Sequence, residues 1–356
     1  MKIKIAIIDN DSNYLERISS SFGSLYADKL EVYLFTDPQV AVNKINSKRN
    51  FADVVLCGVD INIEPKLIAK NSSFAYFCDS SDVESYNGYR AVGKYQRIDR
   101  IYKEILGIYS DNANSTLIFK GNIDSDCKII SFVSAAGGVG ASTAAASYAI
   151  RCCKSGNKTL YLNFEKIGST NIFFKAEGNG SFDNILYSIK SKNSNLSLKL
   201  ESEVKHSEEG VDFFDDCKIS LDKQSVSVED INKLIKNLVV KDDYSRIILD
   251  MNISFDDVTL CLLDKSDKIV FVSDGSDISN SKTISVLKSF EILENQSEDI
   301  TIIGKSVLLY NKFSSKSGKQ LTDISVNVIG GINKIEGLDE ERLARKISEY
   351  GVFDNI

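Results

Sequence analysis

Histidine is nearly absent from this sequence. The single histidine, His206, lies in the polar stretch KHSEEG, and we expect it to be a solvated loop residue rather than a catalytic base. The seven cysteines show neither a CxxC pair nor a Cys/His spacing. This pattern argues against metal ligands and disulfide bridges, and it predicts small buried apolar side chains in a reducing cytosol.

Long apolar runs are also missing. No run approaches the roughly 18–20 residues that are needed to span a bilayer. The N-terminus MKIKIAIID lacks the pattern of a secretory signal peptide. The sequence therefore predicts a cytoplasmic protein without direct membrane insertion.

An excess of positive charge is the third absence. The net charge is −7, and residues 1–110 carry 14 Lys and Arg against 14 Asp and Glu, so the acidic excess lies in the remainder of the chain. Nonspecific binding to DNA needs clustered cations that release phosphate counterions. We therefore predict no nonspecific DNA binding.

The stretch Lys128–Ile150, KIISFVSAAGGVGASTAAASYAI, is the most informative part of the chain. A short apolar run predicts a buried strand, three glycines form a turn, and the Ala-rich segment after them favours a helix. Such a turn can point backbone N–H groups and a helix N-terminus at an anion. Ser142 stands where a phosphate-loop hydroxyl would hold Mg²⁺. The alternative is a tight strand–helix connection with no ligand.

The first 110 residues alternate strand-like and helix-like segments, which predicts a parallel sheet with helices on both faces. Acids follow the first predicted strand at Asp9 and Asp11, and Lys94 follows the fifth. This order resembles the response-regulator receiver domain, which has a flavodoxin-like fold. The resemblance places Gly58 at the phosphate-acceptor position, so we predict a pseudo-receiver domain that is not phosphorylated. The alternative for Asp9 and Asp11 is a pair of solvated loop acids.

The second half of the chain continues the strand series, and one apolar strand, YSRIILD, ends in Asp250. The glycine turn and this acid together resemble the deviant Walker A ATPases of the MinD/ParA group over residues 127 to about 350. The resemblance implies a P-loop NTPase fold with ATP and Mg²⁺ as cofactors. Its nucleotide-binding loop would comprise Gly137, Gly138, Val139, Gly140, Ala141, Ser142 and Thr143.

Four further assignments follow from this resemblance. Glu165 falls at the switch-I acid that positions the attacking water, and it is the candidate catalytic residue. Ser142 and Asp250 would hold the metal, and Asn311 would read the adenine edge. Taken singly, Asp250 and Asn311 could also be a strand-end acid and a loop amide. The two loop lysines of the resembled family are both missing here: Ala136 and Ala141 occupy their positions.

The order of the two domains resembles the TadZ/CpaE proteins of Flp/Tad pili. We therefore expect two doubly wound α/β domains at 1–110 and 127–356, joined by a linker at 111–126. The resemblance implies a homodimer, pilus-assembly partners and recruitment through them to the inner membrane face or the cell pole. We predict an ATP-dependent scaffold with weak or absent hydrolysis. The alternatives are a working ATPase that positions cargo and an adaptor that binds no nucleotide.

Overall fold

The computed structural model describes residues 2–47, 51–68, 71–80, 83–111, 126–178, 180–191, 195–240, 243–296, 301–314, 316 and 318–356. The chain divides into two compact units, Met1–Phe119 with Ser188–Glu203, and Lys120–Tyr187 with Val204–Ile356. Nearly all of the predicted linker, 111–126, lies outside the described residues.

The first unit is a sheet with helices on both faces. Its elements are β1 (Ile3–Ile8), α1 (Ser12–Leu25), β2 (Leu30–Phe35), α2 (Pro38–Ser47), β3 (Val54–Gly58), β4 (Ser73–Cys78), β5 (Ser85–Tyr86), β6 (Tyr89–Gly93) and α3 (Ile98–Ser110). The strand order is β2-β1-β3-β4-β6-β5, and all neighbours are parallel except the β5–β6 hairpin. The predicted parallel sheet with helices on both faces is confirmed, and the β5–β6 hairpin is an addition to it.

The side chains of β1, which alternate between the two faces of the sheet, explain why helices cover both faces. Ile5 and Ile7 pack into the core formed with α1 and α3, whereas Ala6 and Ile8 pack into the core formed with α2. Successive side chains of a strand point to opposite faces, so an unbroken apolar run needs helices on both sides. Asp37 opens α2, because its carboxylate accepts hydrogen bonds from the backbone N–H groups of Gln39 and Val40.

The first unit also contains a helix from a distant part of the chain. This helix, Leu196–Glu203 (α7 in chain order), buries Leu198 in the core beside α3. Lys199 forms ion pairs with Glu203 at 3.2 Å and with Asp111 at 3.3 Å. Glu201 accepts hydrogen bonds from Lys29 and from the hydroxyl of Tyr102. In the sequence this helix lies within the predicted second domain, 127–356, but it belongs to the first compact unit.

The remaining elements are the strands of the second sheet and the helices that accompany them. They are β7 (Lys128–Val133), α4 (Ala141–Lys154), β8 (Thr159–Asn163), α5 (Thr170–Phe173), α6 (Phe182–Lys190), β9 (Lys205–His206), β10 (Asp212–Phe213), α8 (Val228–Val240), β11 (Arg246–Asp250), α9 (Asp257–Asp264), β12 (Lys268–Ser273), α10 (Asp277–Gln296), β13 (Ser306–Phe313), β14 (Asn327–Asn333) and α11 (Glu340–Ile347). The order is β14-β13-β12-β7-β11-β8-β10-β9, and only β9 is antiparallel to its neighbour. His206 therefore lies in a strand, and the prediction of a loop residue is wrong.

Both faces of this sheet are covered as well. Val270 and Val272 of β12 pack into the core that contains α4 and α11, and Phe271 between them contacts Phe290 of α10. Leu343 and Ile347 of α11 are buried in the same core as α4, whereas Leu338 before this helix is 41% exposed.

No disulfide bridge joins the seven cysteines, all of which lie within the described residues. Four of them are buried, but Cys153, Cys217 and Cys261 are partly exposed, so the prediction of buried cysteines holds only in part. Within the described residues, no helix is both long enough and apolar enough to cross a membrane.

Candidate functional site

The glycine turn connects β7 to α4 at the carboxyl edge of the second sheet. Gly138 and Gly140 have φ angles of +79° and +84°, in the left-handed region that favours glycine. A Cβ added to Gly137 or Gly138 would meet no heavy atom within 4 Å, so the space beside these two residues is open. This open space adjoins the backbone of the turn, and the binding of a ligand there stays a prediction.

The other loop side chains are already engaged in packing. Ala136 and Val139 are only 7% and 3% exposed, and both lie in the α4 core. The Thr143 hydroxyl donates to Glu340 of α11 at 3.0 Å. Position 136 therefore directs its side chain into an apolar core, so the signature lysine of the resembled ATPases would not fit here without a rearrangement.

Asp250 lies at the end of β11, between β7 and β8. It is 1% exposed, and it accepts hydrogen bonds from the Tyr161 hydroxyl at 2.6 Å and from the Asn163 amide at 3.3 Å. Burial and the negative charge of Glu165 raise the pKa of Asp250 to about 7, although hydrogen bonds from Tyr161 and Ser142 oppose this shift. The two predicted metal ligands, Ser142 and Asp250, are thus neighbours.

Glu165 lies in the segment after β8. Its carboxylate accepts hydrogen bonds from the Asn163 amide at 3.2 Å and from the Ser169 hydroxyl at 2.8 Å. The Lys223 ammonium donates to the backbone carbonyls of Asn163 and Glu165 at 3.1 and 3.2 Å, which fixes this segment. Glu165 therefore belongs to the same polar cluster as Asp250, through their common neighbour Asn163.

Asn311 contacts the glycine turn itself. Its side chain is 1% exposed, and its amide nitrogen donates to the carbonyls of Val139 and Gly140, both at 3.1 Å. A Cβ on Gly140 would lie 2.4 Å from that nitrogen. In this structure the amide of Asn311 therefore supports the loop, and its role in reading adenine stays a prediction.

Four residues of this site were not foreseen: Tyr161, Asn163, Lys223 and Lys312. Tyr161 precedes Asn163 by two positions on β8, so the two side chains lie on the same face of the sheet. This spacing could have identified Tyr161 as a neighbour of the site. Lys312 directly follows Asn311, and its ammonium donates to the Gly138 carbonyl at 3.1 Å. Lys223 is 58 residues from Glu165 in the sequence, and no local signal connects the two.

The corresponding edge of the first unit has an internal ion pair. Lys94 lies 2.7 Å from Asp9 and 3.2 Å from Asp79, and Lys94 and Asp9 are both buried. Burial alone would lower the pKa of Lys94, but the two carboxylates outweigh it and raise this pKa. A Cβ at Gly58 would lie 3.0 Å from Asp9, so the acceptor position is next to this pair. Asp11 caps α1 by accepting from Tyr14.

Residues 1–110 match the family model described as "TadZ-like, receiver domain". A search of curated protein sequences found no match.

The second unit has the fold of two groups of solved structures. A ParA family ATPase from Chlorobium tepidum TLS is 19% identical, with a TM-score of 0.52, over 65% of this chain and 98% of that one. A chain of the MinC:MinD cell division protein complex from Aquifex aeolicus is 15% identical, with a TM-score of 0.50, over 64% of this chain and 94% of that one. A TadZ-like receiver domain thus precedes a domain with the ParA/MinD fold, which confirms the predicted fold class and the TadZ/CpaE-like architecture.

Proposed function

We propose that this protein binds ATP with Mg²⁺ at the 137–143 loop and serves as a dimeric scaffold that localises the assembly of a Tad/Flp-type pilus. The observation that carries the proposal is the hydrogen bond between the Ser142 hydroxyl, in the first turn of α4 directly after the glycine turn, and the carboxylate of Asp250. The TadZ-like match of residues 1–110 supports the pilus context.

The residues present fit this ligand. The turn leaves open space beside Gly137 and Gly138, and backbone N–H groups of residues 138–143 are donors that no side-chain substitution removes. Among the described residues, no cluster of three or more His, Cys, Asp or Glu could hold a metal by itself. Ser142 and Asp250 would therefore bind the metal together with phosphate oxygens, and bound Mg²⁺ would offset part of the phosphate charge.

Slow or absent hydrolysis is expected because the loop lacks both lysines of the resembled family, and a lysine that only contacts the bound phosphates would not restore their role in the transition state. Cations that neutralise the transition state of phosphoryl transfer contribute on the order of 10³–10⁵ in rate. Ala136 and Ala141 cannot supply such a charge. The Glu165 carboxylate, the candidate water-positioning group, is held by Asn163 and Ser169. These features favour a scaffold over a working ATPase that cycles.

A nucleotide-free adaptor is the second candidate, and one contact favours it. The amide nitrogen of Asn311 already donates to two loop carbonyls, so reading adenine would require this side chain to rearrange.

Sedimentation with and without ATP–Mg²⁺, run beside a phosphate-release assay, separates these functions. A dimer that forms with ATP without turnover is the expected result. Turnover above about 1 s⁻¹, as in ordinary enzymes, would instead identify a working ATPase. Failure to bind ATP would support the nucleotide-free adaptor as the function.

The variant Ala141→Lys tests whether the loop is a phosphate cradle. Its side chain is partly buried at the first position of α4, so the new ammonium would extend from the end of the loop. We expect higher affinity for ATP relative to AMP. Lys154→Met, at the far end of α4, is the matched control and should leave this ratio unchanged.

A further inference from the structure

Strand β13 has an irregularity where it passes the glycine turn. Its pairing with β14 shifts register between Tyr310 and Phe313. Lys312, within this bulge, has a φ angle of +55°, which non-glycine residues rarely adopt. Bulges that re-aim side chains and strained backbone positions both concentrate at functional sites.

The bulge changes which way two consecutive side chains point. In a regular strand Asn311 and Lys312 would lie on opposite faces of the sheet. Here both contact the same loop, because Asn311 donates to Val139 and Gly140 and Lys312 donates to Gly138. The irregular backbone thus brings an ammonium group to the loop that lacks its own lysine.

The charge of Lys312 is not matched by a carboxylate. Among the described residues, its ammonium contacts the neutral carbonyl of Gly138 and forms no ion pair. Lys223, the other lysine of the site, donates to two carbonyls and lies 3.9 Å from Asp216. Hydrogen bonds between an ammonium and an anion are roughly twice as strong as those to a neutral acceptor. A hydrogen bond from Lys312 to a nearby phosphate would therefore be stronger than its present hydrogen bond to the Gly138 carbonyl.

We propose that Lys312 contacts the phosphate chain of the nucleotide bound at the 137–143 loop, in place of the lysines missing at positions 136 and 141. This inference rests on the proposed function, since it needs a nucleotide at the loop. The Lys312 Cε would lie 3.2 Å from a Cβ on Gly140, so its flexible side chain runs along the loop. Rotation about its own bonds moves the ammonium from the Gly138 carbonyl to an adjacent phosphate.

Calorimetric titration of the full chain with Mg²⁺ and ADP, AMP or adenosine tests this contact. We expect Lys312→Met to weaken ADP about ten- to a hundredfold and to leave adenosine unchanged, since a hydrogen bond to a charged group is lost. The salt dependence of ADP binding should also become shallower. Lys312→Arg should retain most of the ADP affinity. Lys319→Met is the control. Lys319 is an exposed lysine that follows β13 in the chain, and it forms an ion pair with Asp277.

A second variant separates phosphate contact from folding. Lys312→Gly removes the ammonium but suits the left-handed backbone, so it should keep or raise the melting temperature while ADP binding weakens. Equal weakening of ADP and adenosine by Lys312→Met would mean that the lysine only supports the loop, and would overturn the inference while the proposed function stands. A parent chain that binds none of the three ligands would overturn both.

Discussion

The hydroxyl of Tyr161 donates a hydrogen bond to Oδ2 of Asp250 across 2.6 Å, and both side chains are almost completely buried. This bond joins β8 to β11 at the carboxyl edge of the second sheet. It stabilises the ionised form of Asp250, but burial and the charge of Glu165 act more strongly in the opposite direction. The acid thus carries an electrostatic cost that a bound cation would relieve.

The stability of the chain should depend on the protonation of Asp250. Its pKa is about 7 in the folded protein against an ordinary value of 3.8, so the folded state favours the proton. The destabilising charge is absent below about pH 4 and develops fully as the pH rises through 7. Asp250→Asn should therefore increase the free energy of unfolding at pH 8, by up to about 4 kcal/mol, and by much less at pH 5. Urea denaturation in EDTA measures both values, and an equal gain at both pH values would contradict the assignment.

Gly140 should tolerate no side chain. Gly140→Ala forces a Cβ to within 2.4 Å of the Asn311 amide and strains a φ of +84°. We expect a loss of about 1–3 kcal/mol in stability together with loss of nucleotide binding, because the loop loses its support from Asn311. Gly137→Ala is the matched control for stability alone, since its Cβ meets open space in the protein without ligand. If the melting temperatures of Gly140→Ala and of the parent protein are equal, the contact between the loop and Asn311 does not contribute to stability.

The first unit should not accept a phosphoryl group. Gly58 has no oxygen nucleophile, and the neighbouring Asp9 is paired with Lys94. Incubation with acetyl phosphate, followed by intact-mass measurement, should show no acid-labile adduct. Asp60 is exposed two residues further on, and an adduct mapped to it would falsify this prediction.

The helix α7 should be required for the stability of the first unit. Leu198 is 2% exposed in the core beside α3. Leu198→Ala should cost about 2–4 kcal/mol, and hydrogen exchange of the α3 amides should accelerate. Leu67→Ala, at a position 54% exposed in the same unit, is the control. Unchanged exchange in α3 would mean that α7 does not stabilise its neighbour.

Binding to random duplex DNA should be weak. The chain carries a net charge of −7, and residues 1–110 contain equal numbers of acidic and basic side chains. Filter binding at low salt should detect no complex at micromolar protein. Micromolar affinity with a steep salt dependence would show that the cations cluster on one surface despite their totals.

The sequence by itself determined most of the secondary structure and the positions of the strand-end acids. Except for the short strands β5 and β9, the strands of both sheets followed from apolar runs, as did the glycine turn before α4 and Asp250 at the end of β11. These features are local, since a buried strand needs an apolar run and a left-handed turn needs glycine wherever they occur.

The tertiary structure decided which side chains meet. Ala136 and Lys312 show this most clearly, because the first points into the α4 core and the second reaches the loop only through a bulge in β13. The docking of Leu198 beside α3 likewise joins segments that are far apart in the chain. Side-chain direction and long-range packing depend on the backbone of neighbouring elements, and a pattern of residue types does not carry that information.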